Sequence, residues 1–149
     1  MEKSLEHFRE LFGLEAPDIR TYSPLTLAYI GDAVYELVIR TLLVEKGNTQ
    51  VNKLNQRANR LVKASAQSEM IEKLKPCLTE EELGIFRRGR NAKSYTMAKN
   101  ATMSDYRRAT GFEALMGYLY LTEQWERILE LVKLGLLEGE EDGEQIPGK

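Results

Sequence analysis

Apolar residues recur at three- and four-residue spacing along almost the whole chain, and no run alternates with the two-residue period of a strand. Leu5, Phe8, Leu11 and Phe12 share one helical face before Gly13 and Pro17 interrupt the pattern. A second helix opens after Ser23-Pro24, where proline suits the first turn, and runs through Leu25, Ala28, Val34, Leu37, Val38 and Thr41 towards Gly47. It is apolar around too much of its circumference for a surface helix, which predicts a central, buried position. Over residues 51–74, Val51, Leu54, Ala58, Leu61 and Val62 line one face, and Pro76 ends the segment. Thr79 and Glu82 have capping-box spacing and start a short helix with Leu83 and Phe86, whose periodicity is lost over residues 87–93. Ser104 and Asp105 suit the N-cap of a helix over about 106–121 carrying Phe112, Leu115 and Leu119. A last amphipathic helix from about Glu123 has Trp125, Ile128, Leu129, Leu131, Val132 and Leu136 as its inward set. The tail after Gly139 is acidic, lacks apolar anchors and is expected to be disordered. The expected class is all-α, with one domain over residues 1–138 and a tail over 139–149.

Composition narrows this picture without changing it. With 149 residues and 42% hydrophobic content, the chain can bury one real core. No stretch of about 18 apolar residues is present, so no membrane partner is expected. The N-terminus lacks the uninterrupted apolar core of a signal peptide, and the single cysteine, Cys77, permits neither an internal disulfide nor a cysteine-based zinc site. A cytoplasmic setting is the simplest reading, and Cys77 is read as a packed or half-exposed structural thiol. The only histidine, His7, lies in a charged amphipathic segment and reads as a surface residue, so any reaction must proceed without imidazole. Tyr22, Tyr29, Tyr35, Tyr118 and Tyr120 fall at core-helix spacing and read as packing residues.

Two carboxylates stand out against this apolar background. Asp32 sits in Leu27-Ala28-Tyr29-Ile30-Gly31-Asp32-Ala33-Val34-Tyr35-Glu36-Leu37, and Glu113 in Gly111-Phe112-Glu113-Ala114-Leu115-Met116-Gly117. A half-buried acid must either pair with a base or share a cation with another acid. Small neighbours such as Gly31, Ala33 and Gly111 allow two helices to cross closely, which favours the shared cation. Hard oxygen ligands without sulfur or imidazole select Mg2+, with Mn2+ able to substitute, over zinc. The plainer reading for each acid is a solvated face or a salt bridge; Glu36, one turn after Asp32, is read as a bridge to Arg40.

Charge is unevenly spread although the net charge is only −2. Residues 87–108 hold Arg87, Arg88, Arg90, Lys93, Lys99, Arg107 and Arg108 against the single acid Asp105. Asn91, Asn100, Tyr95 and Tyr106 are interleaved with them, a mixture suited to backbone phosphates and ribose hydroxyls. Lys53, Arg57, Arg60 and Lys63 form a second basic stripe, in a stretch from 48 to 68 without an acid, which either extends that surface or is a plain exposed helix face.

The two acidic segments resemble the paired motifs of the ribonuclease III family. Tyr29-Ile30-Gly31-Asp32-Ala33-Val34-Tyr35-Glu36-Leu37 is similar to the signature helix with its metal-binding aspartate, and Phe112-Glu113-Ala114-Leu115-Met116-Gly117-Tyr118-Leu119-Tyr120-Leu121 to the motif with the metal-binding glutamate. The likeness covers about residues 23–137. The short length, the segment Arg87-Arg88-Gly89-Arg90-Asn91-Ala92-Lys93 and the lack of a following RNA-binding domain resemble the Mini-ribonuclease III branch. The resemblance implies a homodimeric catalytic domain that cuts double-stranded RNA with Mg2+, leaves 5′-phosphates and short 3′ overhangs, and trims large-subunit ribosomal RNA precursor. Two acids usual in the family are replaced here, by Ala28 four positions before Asp32 and by Thr110 three before Glu113.

The expected function is therefore a metal-dependent endoribonuclease on a helical bundle. Asp32 and Glu113 are its catalytic and metal-binding residues, and Arg87, Arg88, Arg90, Lys93, Lys99, Arg107 and Arg108 hold RNA, with Lys53, Arg57 and Arg60 as further contacts. Two rivals remain on the sequence: a non-catalytic RNA-binding protein on the same fold, and a helical protein–protein adaptor.

Overall fold

The computed structural model describes residues 4–93 and 102–141, and within them every regular element is helical. The order is α1 (Ser4–Phe12), α2 (Pro24–Glu45), α3 (Val51–Val62), α4 (Ala64–Leu74), α5 (Glu80–Asn91), α6 (Met103–Leu121) and α7 (Trp125–Glu141), with short 3-10 turns at Ile19–Thr21 and Lys75–Cys77. The all-α expectation is met. None of these helices is long and apolar enough to cross a membrane.

Helix α6 is the axis of the bundle. It packs most extensively on α2, then on α5 and α4, and more lightly on α7. Its residues from Ala109 to Leu119 are buried apart from Glu113, which is half-buried. The core joins Leu27, Tyr35 and Ile39 of α2, Ile71 and Leu74 of α4, Phe86 of α5, Phe112, Leu115 and Leu119 of α6, and Ile128 and Leu131 of α7. The rings of Tyr35 and Phe112 meet edge to face at 5.0 Å, a favourable quadrupole arrangement.

Glycines set how closely α2 and α6 approach. A Cβ on Gly117 would lie 1.9 Å from the Leu27 carbonyl oxygen, and one on Gly31 would lie 1.7 Å from that of Glu113. Both gaps are filled by main chain, so any side chain there would force the helices apart. The pairing of 27 with 117 and 31 with 113 also means that the two helices run in opposite directions.

Several boundaries differ from the sequence expectation. The segment 51–74 is two helices, broken where Lys63 adopts an extended conformation (φ −65°, ψ 156°) although neither proline nor glycine is present. The last carbonyls of a helix need partners. Two here are supplied by side chains from other helices: Tyr35 donates its hydroxyl to the Leu61 carbonyl at 2.9 Å, and Gln67 donates Nε2 to the Val62 carbonyl at 2.7 Å. Helix α5 does not end near Phe86 but continues through Arg87, Arg88, Gly89 and Arg90 to Asn91. It continues because Gly89 is buried against α6, where a Cβ would come within 2.8 Å of the Gly111 Cα. The N-cap of α6 is Thr102 rather than Ser104 or Asp105, its side chain accepting from the Asp105 N–H at 3.0 Å. Helix α7 starts at Trp125 and runs past the boundary expected at 138; residues 142–149 of the expected tail lie outside the described residues.

Some side chains also face the other way from expectation. Leu129, placed in the inward set of α7, is 41% exposed, and Tyr29, read as a packing residue, is 83% exposed. Cys77 is exposed, rather than packed or half-exposed. His7 is exposed and Glu36 pairs with Arg40 at 2.9 Å, both as expected.

Candidate functional site

Asp32 and Glu113 meet across the α2–α6 contact. Asp32 follows Gly31, whose closeness to the Glu113 main chain brings the two residues to one level of the bundle; Asp32 is exposed there rather than half-buried, and its carboxyl acts on that of Glu113. Burial first, and the Asp32 carboxyl second, push Glu113 up to about 8 from an ordinary 4.5, and a hydrogen bond from Gln67 partly offsets the rise. No lysine or arginine among the described residues pairs with either acid, and no third Asp, Glu, His or Cys joins them.

Gln67, in the first turn of α4, is a member of this group that periodicity did not reveal. It is 2% exposed, and its Nε2 donates to both the Val62 carbonyl and Glu113 Oε2, the latter at 3.3 Å. Its Oε1 is buried without a hydrogen-bond partner. An orphaned buried acceptor is costly, and two adjacent acids repel once ionised. Both conditions are relieved by a hydrated divalent cation, so this all-oxygen donor set fits magnesium or manganese. Asp32 and Glu113 would hold it.

The two positions where acids are usual in the resembling family add no ligand. Ala28 is buried and has no donor atom, and the Thr110 hydroxyl donates to the Tyr106 carbonyl of its own helix at 2.9 Å.

The expected basic residues separate into groups. Arg90, Arg107 and Arg108, with Lys75, Asn91 and Ser104, line a cavity of about 370 Å³ between the end of α5 and the start of α6. Lys75 was not singled out by sequence; its Nζ lies 5.3 Å from the centre of the Phe86 ring and 2.5 Å from Glu72. Arg108 reaches α4, with Nη1 3.5 Å from Ser68 Oγ and Nε 3.8 Å from Glu72. Arg107 is exposed with no acidic partner among the described residues. Six residues separate Arg107 from Glu113, roughly 9 Å along the helix axis.

Arg87 and Lys93 are exposed, whereas Arg88 donates Nη2 to the Tyr22 carbonyl at 3.2 Å and so ties α5 to the start of α2. Lys99 lies outside the described residues. Lys53, Arg57 and Arg60 stand on α3, with Lys53 and Arg60 exposed and Arg57 half-buried. Lys53 is roughly 14 Å along α3 from Val62, the end that touches Gln67, so Lys53 is not part of the carboxylate site.

Comparison with known proteins agrees with this architecture. The Ribonuclease III domain family matches residues 25–124. The chain is 53% identical over 118 residues to Mini-ribonuclease 3 of Clostridium tetani, covering 78% of each chain. It is 47% identical over 137 residues to Mini-ribonuclease 3 of a Thermoanaerobacter species, covering 91% of this chain and 96% of that one. A crystal structure of a Fusobacterium nucleatum protein superposes with a TM-score of 0.73 at 34% identity, covering 83% of this chain and 98% of the other. A bundle in which two facing helices carry one acid each, matched across most of its length by these relatives, belongs to the ribonuclease III family, in its Mini-ribonuclease 3 group.

Proposed function

We propose that this ribonuclease III family member is a homodimeric, Mg2+-dependent endoribonuclease that cuts double-stranded RNA, with Mn2+ able to substitute. The observation that carries the reading is the meeting of Asp32 and Glu113, 81 positions apart in sequence, with no lysine or arginine among the described residues paired to either. In this reading both carboxylates bind the ion and residues 1–138 form the catalytic unit.

When bound, magnesium supplies an acidified water for attack on phosphorus and offsets charge on the phosphoryl oxygens. Asp32 and Glu113 fix its position, and the close α2–α6 contact keeps the two carboxylates from drifting apart. Hydrolysis forms one phosphorus–oxygen bond from water and breaks the bond to the 3′ oxygen, which takes up a proton. The products are a 5′-phosphate and a 3′-hydroxyl.

Duplex RNA is recognised largely through phosphates and 2′-hydroxyls. Lys75, Arg90, Arg107 and Arg108 present a cationic recess for a backbone phosphate, with Arg87, Arg88 and Lys93 as further contacts and Lys99, outside the described residues, as another. The dimer is supported by α2, which exposes Tyr29, Leu37 and Val44 within one arc of its surface. Resemblance to the Mini-ribonuclease III branch points to large-subunit ribosomal RNA precursor as the substrate and to the cytoplasm as the location.

The test is cleavage of duplex RNA with Mg2+ by wild type and by Asp32→Asn. The expected outcome is cutting by the wild type, lost at least about 100-fold in the variant, with RNA binding kept by both. Equal cutting by both proteins overturns the site assignment. Binding without cutting by the wild type supports a non-catalytic RNA-binding protein instead.

A further inference from the structure

Gln67 is the buried polar residue of the carboxylate site that neither the acid motifs nor the basic surface accounts for. Its amide orientation is fixed: the Val62 carbonyl, 2.7 Å away, can only accept, so the nitrogen must face it. The same nitrogen's second hydrogen reaches Glu113 Oε2 at 3.3 Å. Oε1, bonded to the same carbon as that nitrogen, is buried with no donor to satisfy it. Buried amide oxygens are rarely left so, and each such exception calls for an occupant.

We infer that Gln67 is a positioning residue for the divalent-ion site: its amide nitrogen orients Glu113, and its Oε1 accepts a hydrogen bond from a water in the ion's hydration shell. The inference rests on the proposed metal site at Asp32 and Glu113. Its physical basis lies in the reduced ligand set. With Ala28 and Thr110 supplying no carboxylate, more of the ion's shell is water, and ordering that water falls to neutral acceptors nearby. Gln67 is suited to this because its anchor is a main-chain carbonyl at the α3–α4 break. That break places the first turn of α4 against Glu113.

The experiment compares wild type, Gln67→Met and Gln67→Glu in the full chain. Methionine keeps the length and removes both polar ends; glutamate keeps an oxygen acceptor but loses both amide donors. Three quantities are measured: Mn2+ binding without RNA by calorimetry, the Mg2+ midpoint for duplex cleavage, and duplex affinity in EDTA. The expected result for Gln67→Met is a 10- to 100-fold weaker Mn2+ affinity and a matching rise in the Mg2+ midpoint, with unchanged RNA affinity and activity recovered at high Mg2+. Gln67→Glu is expected to bind Mn2+ more tightly than wild type, because it keeps the oxygen and adds charge.

A purely structural bridge between α4 and α6 predicts the opposite pattern. Both variants would then melt at lower temperature while their Mn2+ affinity stayed at the wild-type value, and that result overturns the inference. If Gln67→Met does not fold, the Mn2+ affinity of Gln67→Glu decides alone, and a value no tighter than wild type overturns it. Wild type that binds no Mn2+ and needs no Mg2+ overturns the metal site itself, which separates the two failures.

Discussion

The carbonyl oxygen of Glu113 occupies the space where a side chain on Gly31 would begin, 1.7 Å from the position a Cβ would take. One residue pair thus sets both the spacing of the two central helices and the meeting of the acids at 32 and 113. Gly31→Ala cannot be relieved by a rotamer change, because the obstructing atom is main chain. The substitution is expected to destabilise the fold by about 3 kcal/mol or more and to abolish cleavage, read by thermal unfolding and a duplex-cutting assay. Gly117→Ala, against the Leu27 carbonyl, should behave alike, whereas Gly84→Ala, which meets nothing, should leave both measurements near wild type.

Glu113 makes stability depend on pH in a direction opposite to that of most carboxylates. Its folded-state value lies near 8, above the ordinary 4.5, so between these the folded chain keeps a proton that the unfolded chain has released. The stability present below about pH 4.5 is therefore progressively lost as pH rises to about 8. In EDTA the melting temperature of wild type should fall over this window more steeply than that of Glu113→Gln. Added Mg2+ should flatten the difference, since the ion compensates the ionised pair. Identical slopes for the two proteins in EDTA would refute the assignment.

Arg127 and Glu82 fasten α7 to the start of α5. The guanidinium donates Nε to Glu82 Oε2 and Nη2 to Glu82 Oε1, both at 2.8 Å, and Nη2 also reaches the Cys77 carbonyl at 2.9 Å. Glu82 additionally accepts from the Thr79 N–H at 2.9 Å and so closes the capping box. Arg127 holds this carboxyl below its usual range despite burial. Arg127→Met leaves the buried charge unpaired and is expected to cost about 3 kcal/mol in chemical denaturation at pH 7. Because the Glu82 value is depressed, the difference between the two proteins should shrink as pH falls below about 4.5.

The cationic recess should register in salt dependence. Substituting Arg107 or Lys75 by Ala would remove a proposed phosphate contact without touching the carboxylates. Each variant is expected to bind duplex RNA more weakly whatever its sequence and to lower the slope of log affinity against log salt by about 1. Lys53→Ala, on the distant part of α3, should change that slope less. Filter binding across a salt series measures all three.

The exposed arc of α2 yields a separate expectation for assembly. Leu37 is 52% exposed, on the same side of α2 as Tyr29 at 83%, and a charge placed there would have to be desolvated in any pairing of two such surfaces. Leu37→Asp should convert a dimer into a monomer of unchanged helicity in light scattering and circular dichroism. A dimer that survives the change places the interface elsewhere.

The chain's own pattern was sufficient for the all-helical class, for the capping box at Thr79, and for Asp32 and Glu113 as the pair to watch. These are local properties: periodicity, N-cap chemistry and an acid among apolar neighbours are all written within a few residues. The tertiary structure alone decided the rest. The break at Lys63 has no local cause and depends on Tyr35 and Gln67 supplying donors to the carbonyls of Leu61 and Val62. The extension of α5 to Asn91 depends on α6 filling the space beside Gly89, while Tyr29 and Leu129 turn outward because no helix among the described residues covers them. Gln67 entered the site for the same reason. An amide reads as neutral along a sequence, and only the partners across the fold reveal which of its atoms is left without one.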